Sequence, residues 1–269
     1  MMRSLWTAAS GMKTQQMTVD TIANNLANVN TVGFKKERLE FRSLLYETLR
    51  EAGSVEQGGE PVNLQVGHGV RASGSVKIFT QGNLERTEAP LDFAIEGNGF
   101  FAVQDSNGNL RYTKDGTFKL AIYDDQLMLT TMDGHSVLSN EGEPIFFEGN
   151  IVTDRLIVNE SGNFSYMTAD ETIDLGVGMQ LSQFRNPAGL KSMGDGYYET
   201  TVASGEALLE SEEEDLEKSS LIQGAVEASN VMAVEEMVKM IIAQRAYELS
   251  SKAIQTSDDM LSLANNLKR

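Results

Sequence analysis

The chain has no cysteine and only two histidines in 269 residues. The first absence excludes disulfide frameworks, thiolate zinc sites and thiol nucleophiles, and is compatible with export. The histidines, His68 and His135, lie beside turn glycines, a setting that suits loop residues better than general bases. No His-Glu-x-x-His helix, phosphate-cradling Gly-x-x-x-x-Gly-Lys-Ser/Thr loop or Gly-x-Ser-x-Gly elbow occurs. Asp105-Ser106-Asn107-Gly108-Asn109 opens like a calcium loop. Leu110 and Gly116, however, occupy the positions where that loop needs Gly and Glu, so a hairpin turn is expected. Carboxylates are too numerous to single out a glycosidase pair. The sequence therefore marks no catalytic residue, metal ligand or cofactor site, and no small-molecule substrate is expected. No run approaches the ~20 apolar residues of a membrane-spanning helix. Lys13-Thr14-Gln15-Gln16 interrupts the opening segment too early for a secretory signal, so any export is expected to use an uncleaved route.

Charge is unevenly placed. The formal net charge is -17, and residues 1–45 and 221–269 contribute only +3 and -1, leaving -19 on the middle. Near-neutral ends suit packing, and a strongly acidic middle suits an outward, solvated position. The densest basic cluster, Lys35, Lys36, Arg38 and Arg42, is interleaved with Glu37 and Glu40. It reads as a solvated helix face, and nucleic acid is not an expected partner.

The two ends carry long apolar rows. Every seventh residue from Val226 to Leu261 is apolar (Val226, Ala233, Met240, Tyr247, Ile254, Leu261), and Leu5, Met12, Val19 and Leu26 repeat the spacing at the start, with Ile22 and Val29 beside them. Such heptads favour a coiled coil. Ser229, Ala243, Ser250, Ser257 and Ala264 form a small row that permits close backbone approach. A helix over Leu221–Leu267 would be about 70 Å long at 1.5 Å per residue. That length suits assembly with copies of the chain better than a helical hairpin capping a single core. Asn30-Thr31-Val32-Gly33 supplies the stop for the first helix, Glu37 to Leu49 could resume as a helix, and residues 50–66 read as an extended loop.

From about Val70 the period changes to two. Short apolar runs alternate with turns at Asn107-Gly108, Asp115-Gly116, Asp133-Gly134 and Asp195-Gly196, indicating antiparallel strands in a sandwich or barrel. The region ends near Leu209, and Glu210 to Glu217 reads as a solvated acidic connection. The expected class is α+β, a central antiparallel all-β domain flanked by long terminal helices that pair as a coiled-coil-like core. The expected segments are 1–45 (helical), 46–69 (extended insertion), 70–209 (β-rich), 210–220 (acidic connection) and 221–269 (helical).

Ala23-Asn24-Asn25-Leu26-Ala27-Asn28-Val29-Asn30-Thr31-Val32-Gly33-Phe34-Lys35 resembles the N-terminal signature of the bacterial flagellar axial proteins, the rod and hook subunits. Ser229-Asn230-Val231 through Met237-Val238, Ala243-Gln244-Arg245-Ala246-Tyr247-Glu248 and Ile254-Gln255-Thr256 to Ala264-Asn265-Asn266-Leu267 resemble their C-terminal signature. Leu91 to Phe101 and Tyr112 to Phe118 resemble the family's β domain, so the likeness covers essentially the whole chain. Within the family the opening Met1 to Met12 and the insertion Tyr46 to Val66 look most like the distal rod members. Proximal rod and hook-like members are the alternatives. Val32 and the Asp124-Asp125 turn depart from the family pattern.

The resemblance implies a structural subunit of the flagellar basal body that transmits torque from motor to hook. It would pass unfolded through the flagellar type III export apparatus and add head to tail into a hollow helical tube. The terminal helices would line that tube and the β domain would face outward. Implied partners are further copies of the chain, other rod subunits and the hook protein. Implied contact residues are those of the apolar rows and signatures, including Met237, Gln244 and Arg245. Asn230 and Val231 are implied contacts too, and, since Asn is a poor helix-interior residue, Asn24, Asn25, Asn28, Asn30, Asn265 and Asn266 are expected to bond across subunits and set register. A β-rich enzyme and a binding or adhesin module would each account for the middle alone. Deleting 1–34 or 221–269 is expected to abolish assembly and leave a folded β domain.

Overall fold

The computed structural model describes residues 2–50, 63–124, 126–147, 151–168, 172–213 and 216–266. The chain folds as two units. One gathers the residues up to Ala27, Glu37–Lys77 and the residues from Met232 onward, and the other holds Asn28–Lys36 and Ile78–Val231.

The first unit is built on two helices, α1 (Met2–Ala27) and, at the far end of the chain, α2 (Ala233–Asn266). Threonines pass through α1 without breaking it because Thr14, Thr18 and Thr21 each donate their hydroxyl to the carbonyl four residues back. That internal bond satisfies the hydroxyl and permits Thr14 to be buried. Glu235 and Glu236 in the first turn of α2 complement the positive end of its dipole. The helices run antiparallel. Ser4 meets Ser257 at 3.3 Å, and a Cβ on Gly11 would lie 3.5 Å from the Ser250 hydroxyl. Asn25 bonds Glu236. Seven residues up α1 thus match seven down α2, and fourteen more match fourteen.

Between the helices in sequence come β1 (Glu37–Ser43), β2 (Tyr46–Arg50), β3 (Leu64–Gly67) and β4 (Val70–Lys77). β1 pairs β4 with a bulge between Glu40 and Phe41, and β2 pairs β3. The helix expected over Glu37 to Leu49 is therefore two strands. Residues 70–77 supply a ladder that overrides the local leucine spacing. The part of the extended insertion at 51–62 lies outside the described residues.

The second unit holds β5 (Leu84–Arg86), β6 (Phe93–Glu96), β7 (Phe100–Gln104), β8 (Leu110–Thr113), β9 (Phe118–Tyr123), β10 (Gln126–Thr131), β11 (Ser136–Val137), β12 (Phe146–Phe147), β13 (Leu156–Val158), β14 (Asn163–Met167), β15 (Thr172–Gly178), β16 (Leu181–Gln183), β17 (Lys191–Gly194), β18 (Tyr197–Glu199), β19 (Leu208–Leu209), β20 (Ser220–Gln223) and β21 (Ala225–Glu227). The main sheet runs β12-β10-β11-β7-β8-β18-β17, with β16, β19 and β9 branching from it. β13–β15, β20 with β6, and β21 with β5 form smaller sheets. Among the described residues every strand pair is antiparallel, and the main sheet ends on β12 and β17 without closing as a barrel. Successive side chains of β7 point to opposite faces. Phe101 and Val103 enter one apolar cluster with Phe93, Phe118 and Phe164, while Phe100 and Ala102 enter another with Tyr112, Phe184 and Tyr198. Both faces of β7 are covered, so its sequence is apolar without alternation.

The turn at Asp195-Gly196 takes φ of 50° and 80°, as a two-residue type I′ hairpin requires. Asp124 takes φ 49° in the β9–β10 turn, where Gly would be unstrained. Two further expectations are corrected. The C-terminal helix begins at Ala233, not Leu221, because residues 220–227 form ladders with β6 and β5. Its length is therefore about 50 Å. The acidic run is not wholly solvated: Glu210 is buried, where it accepts bonds from Gln183 Nε2, Ser219 N–H and Ser219 Oγ, each at 2.8 Å.

Candidate assembly interface

Along the helix pair the buried positions are Thr14, Ile22 and Asn25 on α1 and Glu236, Ala243 and Ser257 on α2. Ala243, Ser250 and Ser257 of the small row lie along this seam, and their size permits the close approach at Gly11, whereas Ala264 is exposed and Ser229 lies outside α2. The heptad residues flank this seam: Leu5, Met12, Val19, Leu26, Met240, Ile254 and Leu261 are half-buried. Met237, Gln244, Arg245, Tyr247, Asn265 and Asn266 are exposed, and Arg245 donates to Glu248 at 2.8 Å. Gln16, Val19, Gln244, Tyr247 and Glu248 line an open groove between the two helices. Leu267 lies outside the described residues.

A second apolar row was missed in the sequence. Val234, Val238, Ile241, Ile242 and Leu249 recur at helical spacing on α2 and are all exposed, Ile241 at 58% and Ile242 at 62%. They stand one or two positions round from the heptad row. The signal was present as intervals of three and four, hidden by the stronger repeat of seven. Aliphatic side chains gain about 25 cal/mol for each Å² removed from water, so this face is the strongest site for a partner on α2.

The signature asparagines differ in what they do. Asn25, 2% exposed, accepts the Glu37 N–H at 2.9 Å and donates to the Glu37 carbonyl at 2.9 Å and to Glu236 Oε2 at 3.2 Å. Glu236 Oε1 in turn accepts Lys239 Nζ at 2.7 Å. Both ends of the Asn25 amide are thus engaged within the chain, tying β1 to the helix pair. Asn24 and Asn30 are exposed, and Asn28 accepts the Thr31 hydroxyl at 3.2 Å.

The other signature residues belong to two arms of the β unit, 28–36 and 225–231. Asn230 accepts the Lys36 N–H at 2.7 Å and donates to the Ile78 carbonyl at 2.8 Å and the Thr80 carbonyl at 3.0 Å, so its amide too is engaged inside the chain. Gly33 takes φ 67°, and a Cβ there would lie 2.8 Å from the backbone of Lys114 and Asp115. Phe34 is half-buried, and Val231 is buried. Lys35, expected on a solvated face, is 1% exposed and bonds Glu227 Oε1 at 2.5 Å, itself 1% exposed, and the Thr80 carbonyl at 3.0 Å. A buried cation needs an anion, and the sequence could not show that one lay 192 residues away. Lys114 is the second buried cation. Burial pushes its ammonium down to about 8, with Glu227 opposing the shift. The truncations expected to spare the β domain would cut into it. Removing 1–34 takes Gly33 and Phe34, and removing 221–269 takes the core residue Leu221 and the carboxylate of Glu227.

The histidines fit local roles. His68 lies 3.7 Å from Glu47, which also pairs with Arg3. His135 lies 3.4 Å from Asp105 and packs edge-on against Tyr197.

Helices that leave an aliphatic face uncovered mark a protein suited to pack against others. Three family models match: "Flagella basal body rod protein" over residues 5–35, "Flagellar hook protein FlgE/F/G D1 domain" over 94–166, and "Flagellar basal body rod FlgEFG protein C-terminal" over 222–267. The chain is similar to the flagellar basal-body rod protein FlgG of Borreliella burgdorferi, at 46% identity over all of both chains. FlgG of Caulobacter vibrioides is 40% identical over 99% of this chain and all of its own, and FlgG of Bacillus subtilis 35% over all of both. The chain belongs to the flagellar basal-body rod protein family.

Proposed function

We propose that the chain is a structural subunit of the bacterial flagellar basal-body distal rod, and that it assembles with copies of itself into a hollow helical tube that carries torque from motor to hook. The observation that carries this reading is the uncovered aliphatic row of α2, joined with full-length similarity to rod proteins. A head-to-tail contact whose rotation does not close builds a filament, which is the symmetry a rod needs. In the assembled state α1 and α2 would pack as coiled-coil elements against neighbouring copies, with Met237, Tyr247 and the groove at Gln16 and Gln244 at the contact. Other rod subunits and the hook protein would cap the two ends. Delivery would use the flagellar type III apparatus.

Charge placed on the row provides the test. Ile241 and Ile242 are exposed, so Ile241→Lys with Ile242→Glu is expected to leave the unfolding free energy within about 0.5 kcal/mol of the parent. Sedimentation should then show loss of self-association, and cells carrying the variant should not swim. Polymers and motility equal to the parent's would refute the reading.

A further inference from the structure

The outward faces of α1 and α2 carry rows of the same spacing. Val234, Val238, Ile241 and Arg245 step by four, three and four residues, and so do Met2, Trp6, Ala9 and Lys13. All of them are exposed, Trp6 at 71%. At 3.6 residues per turn, each row stands about half a turn round from its helix's buried positions, which are Thr14, Ile22 and Asn25 on α1 and Glu236, Ala243 and Ser257 on α2. The two rows therefore lie on opposite sides of the helix pair.

We infer that these rows meet between copies: the α1 row of one copy covers the α2 row of the next, antiparallel, with Trp6 at Ile241 and Ala9 at Val238. The contact rests on the tube proposed above and names the partner of the α2 row. A row packed on its own equivalent is a two-fold contact, which closes a pair and extends nothing, whereas a filament needs two different patches on one chain. Copies that point the same way along a tube keep α1 of one antiparallel to α2 of the next, and the reversed steps of four, three and four then match. Ala9 is small and admits Val238 closely, and Lys13 falls beside the exposed Glu235, so charge complements the apolar contact. The register also fixes a stagger. Within one chain Ser4 is level with Ser257 and Asn25 with Glu236, which puts Trp6 level with Gln255. Meeting Ile241 of the next copy takes a shift of 14 residues, about 21 Å at 1.5 Å per residue. Each copy thus stands beside the last and about 21 Å along it, a step that repeats without closing.

The chain has one tryptophan and no cysteine, so the contact can be read directly in the full-length protein. As copies of the parent associate, tryptophan emission should move to shorter wavelength. Trp6→Ala should weaken self-association in sedimentation by at least about tenfold while leaving the denaturant midpoint of the dilute chain unchanged. Single-cysteine variants are then mixed and oxidised. Trp6→Cys with Ile241→Cys, and Ala9→Cys with Val238→Cys, should link at least about tenfold more than Ile241→Cys with itself or Ala9→Cys with Leu249→Cys, pairs that the register keeps apart. An associating parent whose emission does not shift would overturn the pairing and leave the tube standing. So would Ile241→Cys linking chiefly to itself, or to Leu45→Cys in the exposed connection between β1 and β2. A parent that does not self-associate would remove the proposed function and this contact together.

Discussion

Lys114 makes the β unit most stable in mildly alkaline solution. Its side chain is buried, its Nζ donates to the Gly97 carbonyl at 2.8 Å, and it lies 5.2 Å from the centre of the Phe100 ring. Burial lowers the ammonium from 10.5 to about 8, with Glu227 and Glu210 opposing the shift and Lys35 adding to it. The folded chain therefore gives up this proton first. Below about pH 8 both states hold it, and the full cost of the buried charge is present. Between 8 and 10.5 the unfolded chain binds more protons, so stability rises with pH across that window. At 1.36 kcal/mol per pH unit the gain approaches about 3 kcal/mol. In the first unit the half-buried Lys77, also lowered by burial, acts in the same direction on that unit. Tyrosines set the upper limit. Burial raises Tyr112 to about 12 and raises Tyr197 as well, so above pH 10 the unfolded chain ionises first and stability falls. Urea unfolding of the full chain at half-unit steps from pH 7 to 11 should show a maximum near 10. Lys114→Met should flatten the rise between 8 and 10 while leaving the fall above 10. Equal slopes for parent and variant from 8 to 10 would refute the assignment, whatever the remaining charges contribute to both.

Two further outcomes follow from close contacts. Gly33→Ala puts a Cβ 2.8 Å from the backbone of Lys114 and Asp115 at a φ of 67°, and should destabilise the chain by about 2 kcal/mol or more in denaturant melts. Asn25→Ala leaves the Glu37 N–H and carbonyl and a Glu236 oxygen without their present partner. It should cost about 2–3 kcal/mol and release β1 in hydrogen exchange.

Periodicity made both helices legible, along with most turns of the β unit, because each depends on residues near in sequence. Gly108, Gly134 and the Asp195-Gly196 pair adopt the positive φ that their dipeptides advertise. What escaped was set by distant partners. Glu37 to Leu49 carries leucines at helical intervals, yet residues 64–77 convert it into two strands. Val226 fits the heptad row of α2 but belongs to β21, because β5 offers a ladder and Gly224, at φ 69°, turns the chain between β20 and β21. Lys35 looked solvated because its neighbours are charged, and the carboxylate that admits it to the interior comes from the other end of the chain. The uncovered face of α2 was overlooked because two apolar rows share that helix and only one repeats every seven residues.

The signatures that make this family recognisable are therefore engaged largely inside each chain. Asn25, Gly33, Lys35, Glu227 and Asn230 fix β1 to the helices and the arms to the β unit, and each is constrained by geometry that few other residues meet. The row on α2 is constrained only to be aliphatic and exposed, since hydrophobic burial is non-directional and tolerates exchange among Val, Ile, Leu and Met. A motif search is thus drawn to the residues that build the subunit and passes over those proposed above to join subunits. Replacing Ile241 and Ile242 by valine or leucine should consequently leave self-association intact, while one charge at either position should weaken it. Asn25 and Gly33 should show the reverse pattern, with intolerance of any substitution appearing first as lost stability of the single chain.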